Sequence, residues 1–121
     1  MSRDETALRY ERIEPLPRQE ALNRLALGGK AAANAIYSIA LHDEDDVFAE
    51  TACLEGLNSG DAALRVASVG ALGEMALFAG RAIDFDQAES RLLELRIRYP
   101  ELAGRVEDAL EDIALAKNRN A

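Results

Sequence analysis

DAALRVASVGALGEMALFAG, residues 61 to 80, is the longest stretch of the chain that has a helix start signal, a helix stop signal and few polar side chains. Asp61 is suited to accept a hydrogen bond from a free N–H group of the first turn, and Gly80 to adopt the left-handed conformation that ends a helix. Between them lie three strongly polar residues: Arg65, Ser68 and Glu74. The stretch therefore predicts a central helix that other helices cover on most sides.

Gly70 and Gly73 lie inside this predicted helix, where each glycine lowers helix stability by about 1 kcal/mol relative to alanine. A close approach of neighbouring helices, at a place where a side chain would clash, offsets such a cost. The two glycines therefore predict tight packing of other helices against this one.

The composition supports an all-α fold. The chain has 121 residues, the usual size of one domain, and 49% of them are hydrophobic, which is enough to build a core. Alanine and leucine dominate the apolar residues, aromatic residues amount to 5% and tryptophan is absent. This balance suits closely packed helices better than strands, so we expect a single all-α domain.

Helical spacing of apolar residues divides the rest of the chain into five more helices. They are predicted over residues 18–27, 30–41, 47–57 and 86–99, and from Pro100 onward. Prolines and glycine-containing turns separate them. Residues 1–14 are predicted to form a short helix or a frayed arm, and residues 117–121 a mobile tail.

Three observations bear on the compartment. Cys53 is the only cysteine, so no intrachain disulfide can form. No signal sequence opens the chain, and no apolar run approaches the roughly 20 residues that cross a bilayer. We expect a cytoplasmic protein without a membrane partner.

The charge distribution indicates the kind of partner. The net charge is −8, and residues 41–80 carry eight acidic side chains and one basic side chain. Nucleic acid is disfavoured as a partner because lysine and arginine drive binding to phosphates. An acidic field of this kind attracts a basic partner instead.

The chain also shows an internal repeat. Three apolar positions recur at an offset of 38 residues, Leu64, Ala71 and Leu72 corresponding to Leu102, Ala109 and Leu110. The Ala35-Ile36 pair lies a similar distance before Ala71-Leu72. This period is close to the roughly 40-residue unit of helical solenoids, in which stacked helix pairs close a core that no single pair can bury.

The residues at this repeat carry a resemblance to a known family. Asp61, Leu64-Arg65, Ala67 and Ala71-Leu72-Gly73 resemble the second-helix pattern of HEAT repeats. Residues 35–113 resemble small bacterial HEAT-like proteins, some of which are immunity proteins of secreted antibacterial toxins. The resemblance implies a short right-handed α-solenoid of about three helix pairs.

The same resemblance implies structural roles for two polar residues. In HEAT-like repeats an Asp and an Arg at the positions of Asp61 and Arg65 cross-link neighbouring turns. The last repeat departs from the pattern, since Ala103 stands where an arginine is expected. Arg65 therefore matches the arginine position of the pattern, whereas residue 103 does not.

Two sets of acidic residues are candidates for binding a partner. The first is the run Asp43, Glu44, Asp45 and Asp46, where capping of the next helix accounts for one or two members. The second is in the last helix: Glu107, Asp108, Glu111 and Asp112 form like-charged pairs four residues apart, which destabilise an isolated helix unless a partner or solvent compensates them. With Glu74, and with Tyr37 as an anchor, the residues of the second set are predicted to share one surface, which the turn at residues 43–46 flanks.

Catalytic and metal sites have little support in the sequence. His42 is the only histidine and no nucleophile or orienting group accompanies it by spacing, and Cys53 has the surroundings of a small core residue. Residues 43–46 lack the ligand pattern of a calcium loop, and no zinc spacing or phosphate-binding loop occurs. We expect no catalytic residue, no metal and no cofactor.

The leading hypothesis is an immunity protein that covers the active site of a basic toxin, such as a nuclease. A scaffold or regulatory subunit that binds a non-toxin protein through the same acidic surface is the alternative. A third hypothesis is a lyase-type or small-molecule enzyme on a HEAT-like array, which requires a convergent pocket. The sequence does not specify the oligomeric state.

Overall fold

Six α-helices and one 3₁₀ turn form the part of the chain that the structure, a computed structural model, describes: residues 13–120. The helices are α1 (Arg18–Leu27), α2 (Gly29–His42), α3 (Asp46–Leu57), α4 (Ala62–Leu77), α5 (Phe85–Arg98) and α6 (Ala103–Arg119), and the 3₁₀ turn is Pro100–Leu102. These residues contain no strand, which confirms the all-α class. Residues 1–12 of the predicted N-terminal arm lie outside the described part. No helix of the described part is both long enough and apolar enough to cross a bilayer.

Helix α4 is the central element, as its sequence predicts. It packs against α2, α3 and α6, while α1 packs on α2, and α5 on α6 and α3. Its buried residues span almost its whole C-terminal half: Ala67, Ser68, Val69, Ala71, Leu72, Gly73, Glu74, Met75 and Ala76. The core therefore lies around α4.

Most helix ends fall within a residue or two of the predicted positions, and two differ for local reasons. Helix α4 ends at Leu77, because the Ala79 N–H donates to the Glu74 carbonyl, five residues back, at 3.1 Å and so leaves the four-residue pattern of the α-helix. Gly80 follows with φ at 63°, the predicted left-handed conformation. Helix α6 continues to Arg119 through the predicted mobile tail, and the Arg119 guanidinium donates to the Leu77 carbonyl at 2.8 Å.

Asp61 joins the ends of two neighbouring helices. Its carboxylate accepts from the Leu64 N–H at 2.9 Å, which caps α4, and from the Gly29 N–H at 3.0 Å, in the first turn of α2. Both N–H groups would otherwise lack an intrahelical partner. The predicted structural role of Asp61 is confirmed.

Arg65 connects two turns near the start of α4. Its guanidinium donates to the Ser59 carbonyl at 2.9 Å and lies 4.0 Å from the centre of the Tyr99 ring. Ser59 precedes α4 and Tyr99 follows α5, so this side chain holds two successive turns together. The predicted role of Arg65 as a cross-link between turns is also confirmed.

Arg81 provides a third connection, which the sequence did not indicate. From the loop after α4, its guanidinium donates to the carbonyls of Ile39 at 3.3 Å and Ala40 at 3.1 Å, and to the Asp43 carbonyl. Its Nε also donates to the Asp46 carboxylate at 2.8 Å. A single side chain thus donates to two of the last four carbonyls of α2 and links them to the first turn of α3.

The two glycines of α4 lie where other helices approach closely, as predicted. A Cβ atom at Gly70 would overlap the Tyr37 hydroxyl of α2. At Gly73 it would lie 3.2 Å from the Ala109 Cα atom and 3.2 Å from the Asp112 Oδ2 atom, both of α6. These contacts explain why α4 contains glycine at both positions.

Replacing Gly73 with Leu is expected to lower the free energy of unfolding by about 1 to 3 kcal/mol, because the side chain overpacks the α4–α6 contact. Chemical denaturation followed by circular dichroism measures the change. Gly104→Leu is the matched control, since nothing lies within 4 Å of a Cβ atom there. Equal stability of the two variants would contradict the close packing.

Candidate functional site

The acidic run between α2 and α3 is largely held by contacts inside the protein. Arg18 donates to the Asp43 carboxylate at 2.7 and 3.0 Å, and this hydrogen bonding lowers the pKa of Asp43 below its ordinary value. Asp45 accepts from the Phe48 N–H at 3.0 Å as the cap of α3, and Asp46 pairs with Arg81. Capping and ion pairing therefore account for three of the four residues, and Glu44 is the exposed carboxylate that is left for a partner.

The Asp43 ion pair has a defined pH dependence. Because the pKa of Asp43 is lowered in the folded chain, its contribution to stability is present at neutral pH. That contribution is lost as the pH falls through the lowered pKa and the carboxylate becomes protonated.

Three predicted site residues meet around the glycines of α4. Tyr37 lies beside Gly70, and Asp112 lies beside Gly73, the residue before Glu74. Tyr37 and Asp112 are half-buried, whereas Glu74 is only 6% exposed. Glu74 was predicted to share a partner-binding surface, but its side chain is buried where other helices pack around α4.

The carboxylates on the outer side of α6 are the exposed ones. Glu107 lies 3.7 Å from the Arg96 guanidinium of α5, with 64% of its side chain exposed. Asp108 and Glu111 are exposed, and within residues 13–120 neither carboxylate forms a hydrogen bond or an ion pair. Their spacing of three residues places them on one face of α6.

The 43–46 turn is tied to Arg18 and Arg81. That this turn flanks the carboxylates of α6 stays a prediction. Asp108 and Glu111, with Asp112 and Glu107 beside them, remain as one local acidic face.

The surroundings of His42 and Cys53 indicate structural roles for both residues. The His42 ring lies at the end of α2 and its Nε2 atom is 2.8 Å from the Ile13 carbonyl oxygen. Cys53 is fully buried, and this burial raises the pKa of its thiol to about 12. Within residues 13–120 no three acidic, histidine or cysteine side chains are placed to hold a metal ion.

Cys53 is therefore expected to resist alkylation in the folded protein. At pH 8 the thiol should react with iodoacetamide only when the chain opens, so adding denaturant should raise the rate by more than about 100-fold. Mass spectrometry of timed samples measures the rate of alkylation, and rapid modification without denaturant would contradict the burial.

The raised pKa of Cys53 also affects stability at high pH. The folded protein becomes less stable as the pH rises above about 9, because the thiol then ionises in the unfolded chain but not in the folded chain.

Comparisons with known proteins give no further assignment. No family model, no curated protein and no solved structure matches the chain.

A groove that the sequence did not predict lies between α1 and α3. Its volume is about 620 Å³, and its lining includes Leu22 and Leu25 of α1 and Phe48 and Ala52 of α3. The apolar spacing in both helices is visible in the sequence. A stripe of apolar side chains does not show whether a neighbouring helix covers all of it, so the groove could not be predicted.

Proposed function

We propose that this protein is a non-catalytic binding module whose acidic face on α6 captures a basic protein. Asp108 and Glu111 carry the argument, because they are exposed and have no ion pair or hydrogen bond within residues 13–120. Arg105, three residues before Asp108, forms no ion pair with it in that part of the chain. The face therefore keeps its negative charge for a partner.

We also propose that the helices form a right-handed HEAT-like array of three pairs. Successive packing of α2 on α4 and of α4 on α6 supports this arrangement, as do the Asp61 and Arg65 contacts between neighbouring turns. Such arrays stack each unit only on its neighbours and present one helix of each pair on a common face. In this arrangement α6 is the last described helix of that face, and the exposed carboxylates on its outer side are open to a partner.

The most specific form of the proposal is a bacterial immunity protein that acts in the cytoplasm. Its partner is a basic toxin domain, since a nuclease must attract phosphates and so carries a basic surface. The carboxylates of α6 compete for that surface and the body of the helices covers the active site. Binding of this kind has a fast on-rate that falls with ionic strength.

Calorimetry with the toxin domain encoded next to this protein's gene tests the proposal. We expect one-to-one binding that abolishes toxin activity and weakens about tenfold or more between 50 and 300 mM salt. Absence of binding would refute the immunity role. Stoichiometric binding of a basic protein that is not a toxin would identify a scaffold or regulatory subunit instead.

Reversing the charge of the α6 face should weaken this binding without unfolding the chain. The double variant Asp108→Lys and Glu111→Lys is expected to lower the association rate about 10-fold or more, because it replaces attraction by repulsion. Asp112 is left unchanged because it contacts α4 beside Gly73.

The control for this variant changes the net charge equally at another place. Glu94 and Glu101 are exposed, and replacing both with Lys leaves the α6 face intact. Stopped-flow association at low salt compares the two proteins. Equal slowing in both would show that net charge, and not this face, governs the encounter.

A further inference from the structure

The groove between α1 and α3 is an apolar surface that the proposed function does not use. Its apolar lining consists of Leu22, Leu25, Ala26, Phe48, Ala52 and Leu64. Leu22 is 38% exposed on its wall, so the groove opens to solvent. Its volume of about 620 Å³ lies within the range of pockets that hold ligands or the side chains of a partner.

The packing of the helices explains why the groove stays open. Helix α1 packs mainly on α2, and α3 mainly on α4, so their facing sides are not closed against each other. Gly56 lies on the groove with no side chain to fill it. A Cβ atom there would overlap the buried Ser68 side chain of α4, so the close α3–α4 contact keeps this position small.

The α3 side of the groove is acidic. Helix α3 has no lysine or arginine, and the exposed Glu55 carboxylate forms no ion pair or hydrogen bond within residues 13–120. Glu55 and Thr51 also line a second depression of about 410 Å³ between α3 and α5, together with Glu50. Glu55 is therefore a charge available to a partner on either side of α3.

The basic groups near the groove are already engaged. Arg18 lies 4.1 Å from the centre of the Phe48 ring at one end and is paired with Asp43. Arg91, in the second depression, donates to the Leu54 carbonyl at 3.3 Å. The unpaired charge beside the apolar lining is thus negative.

We propose that this groove binds an amphipathic helix of a partner protein that combines apolar and basic side chains. Apolar side chains one turn apart enter the groove between Leu22 and Phe48, and a flanking Lys or Arg pairs with Glu55. Recognition of an amphipathic helix by a groove uses this combination of apolar anchors and flanking charge. The proposal stands on α1 and α3 and does not depend on the carboxylates of α6.

Selection from a phage library of helical 16-residue peptides on the immobilised wild-type chain tests the proposal. We expect enriched sequences with apolar residues at i and i+3 or i+4 and with Lys or Arg beside them. Enrichment of acidic peptides, or no enrichment above a blank surface, would overturn it. Fluorescence anisotropy then gives the Kd of the most enriched labelled peptide.

Variants at the groove decide whether that peptide binds there. Leu22→Asp places a charge on the apolar wall and is expected to weaken binding at least 10-fold. Glu55→Lys, at an exposed position, is expected to weaken binding of the selected peptide about fivefold. The same variant should bind more tightly to a second peptide in which Glu replaces the basic residues. Glu94→Lys on α5 is the matched control and should leave both peptides unchanged.

Three results would contradict the proposal. One is unchanged affinity in both groove variants, and another is equal weakening in Glu94→Lys. The third is a wild-type dimer in sedimentation that Leu22→Asp converts to monomer, since a second copy would then occupy the groove. Circular dichroism of each variant confirms that it is folded before the comparison.

Discussion

Replacing Gly56 with Ala is expected to lower the free energy of unfolding by about 3 kcal/mol, at the upper end of overpacking effects. The added methyl group would overlap the Ser68 Oγ atom and lie 2.9 Å from the Ser68 Cβ atom. Ser68 is fully buried, and its hydroxyl donates to the Leu64 carbonyl at 2.8 Å. Because the Ser68 Cβ atom is fixed to the backbone of α4, helices α3 and α4 must separate.

Gly104→Ala provides the matched comparison. Gly104 is also in a helix, and a Cβ atom there meets nothing within 4 Å. This variant should gain up to about 1 kcal/mol from the higher helix propensity of alanine. Urea unfolding of both variants measures the difference, and a Gly56→Ala protein as stable as Gly104→Ala would show that α3 and α4 do not pack this closely.

Replacing Arg81 with Met is expected to cost about 3 kcal/mol, because the change removes several charge-assisted hydrogen bonds at once. The side chain of Arg81 is only 9% exposed, so solvent replaces these bonds poorly. The carbonyls of Ile39 and Ala40 would lose this donor, and Asp46 would lose its ion pair. Methionine retains much of the side-chain volume, so the loss reports mainly on the polar contacts.

Arg81→Lys distinguishes the guanidinium geometry from its charge. A lysine keeps the positive charge but cannot reproduce the planar fork that reaches carbonyls and a carboxylate together, so most of the loss should remain. Arg98→Lys is the control, since Arg98 makes one exposed hydrogen bond to Asn58 at 3.3 Å. Full stability of Arg81→Lys would mean that charge alone holds this connection.

Local signals in the sequence were sufficient where the physical cause is also local. The capping of α4 by Asp61 and the left-handed conformation of Gly80 follow from residue types at helix ends. Gly73 indicated a close neighbour because a glycine inside a helix needs compensation. Most helix boundaries were also predicted, because the residues that start and stop a helix lie at its own ends.

Contacts between distant parts of the chain gave no such signal. Arg81 reaches Ile39, which is 42 residues away, and no periodicity encodes that pairing. Glu74 was grouped with the carboxylates of α6 because both lie on second helices of the predicted repeat, but repeat position does not show which side chains of α4 the neighbouring helices bury. The groove beside α3 depends on how far apart α1 and α3 lie, which apolar spacing does not determine.

The Asp61 and Arg81 contacts have a consequence for how the chain loses its structure. Units of a simple linear array can fray from one end, since each contacts only the next. Here the start of α2 is held by Asp61 and its end by Arg81, both supplied from further along the chain. Release of α2 breaks both contacts, so the N-terminal helices are expected to open together with α4 rather than peel away before it.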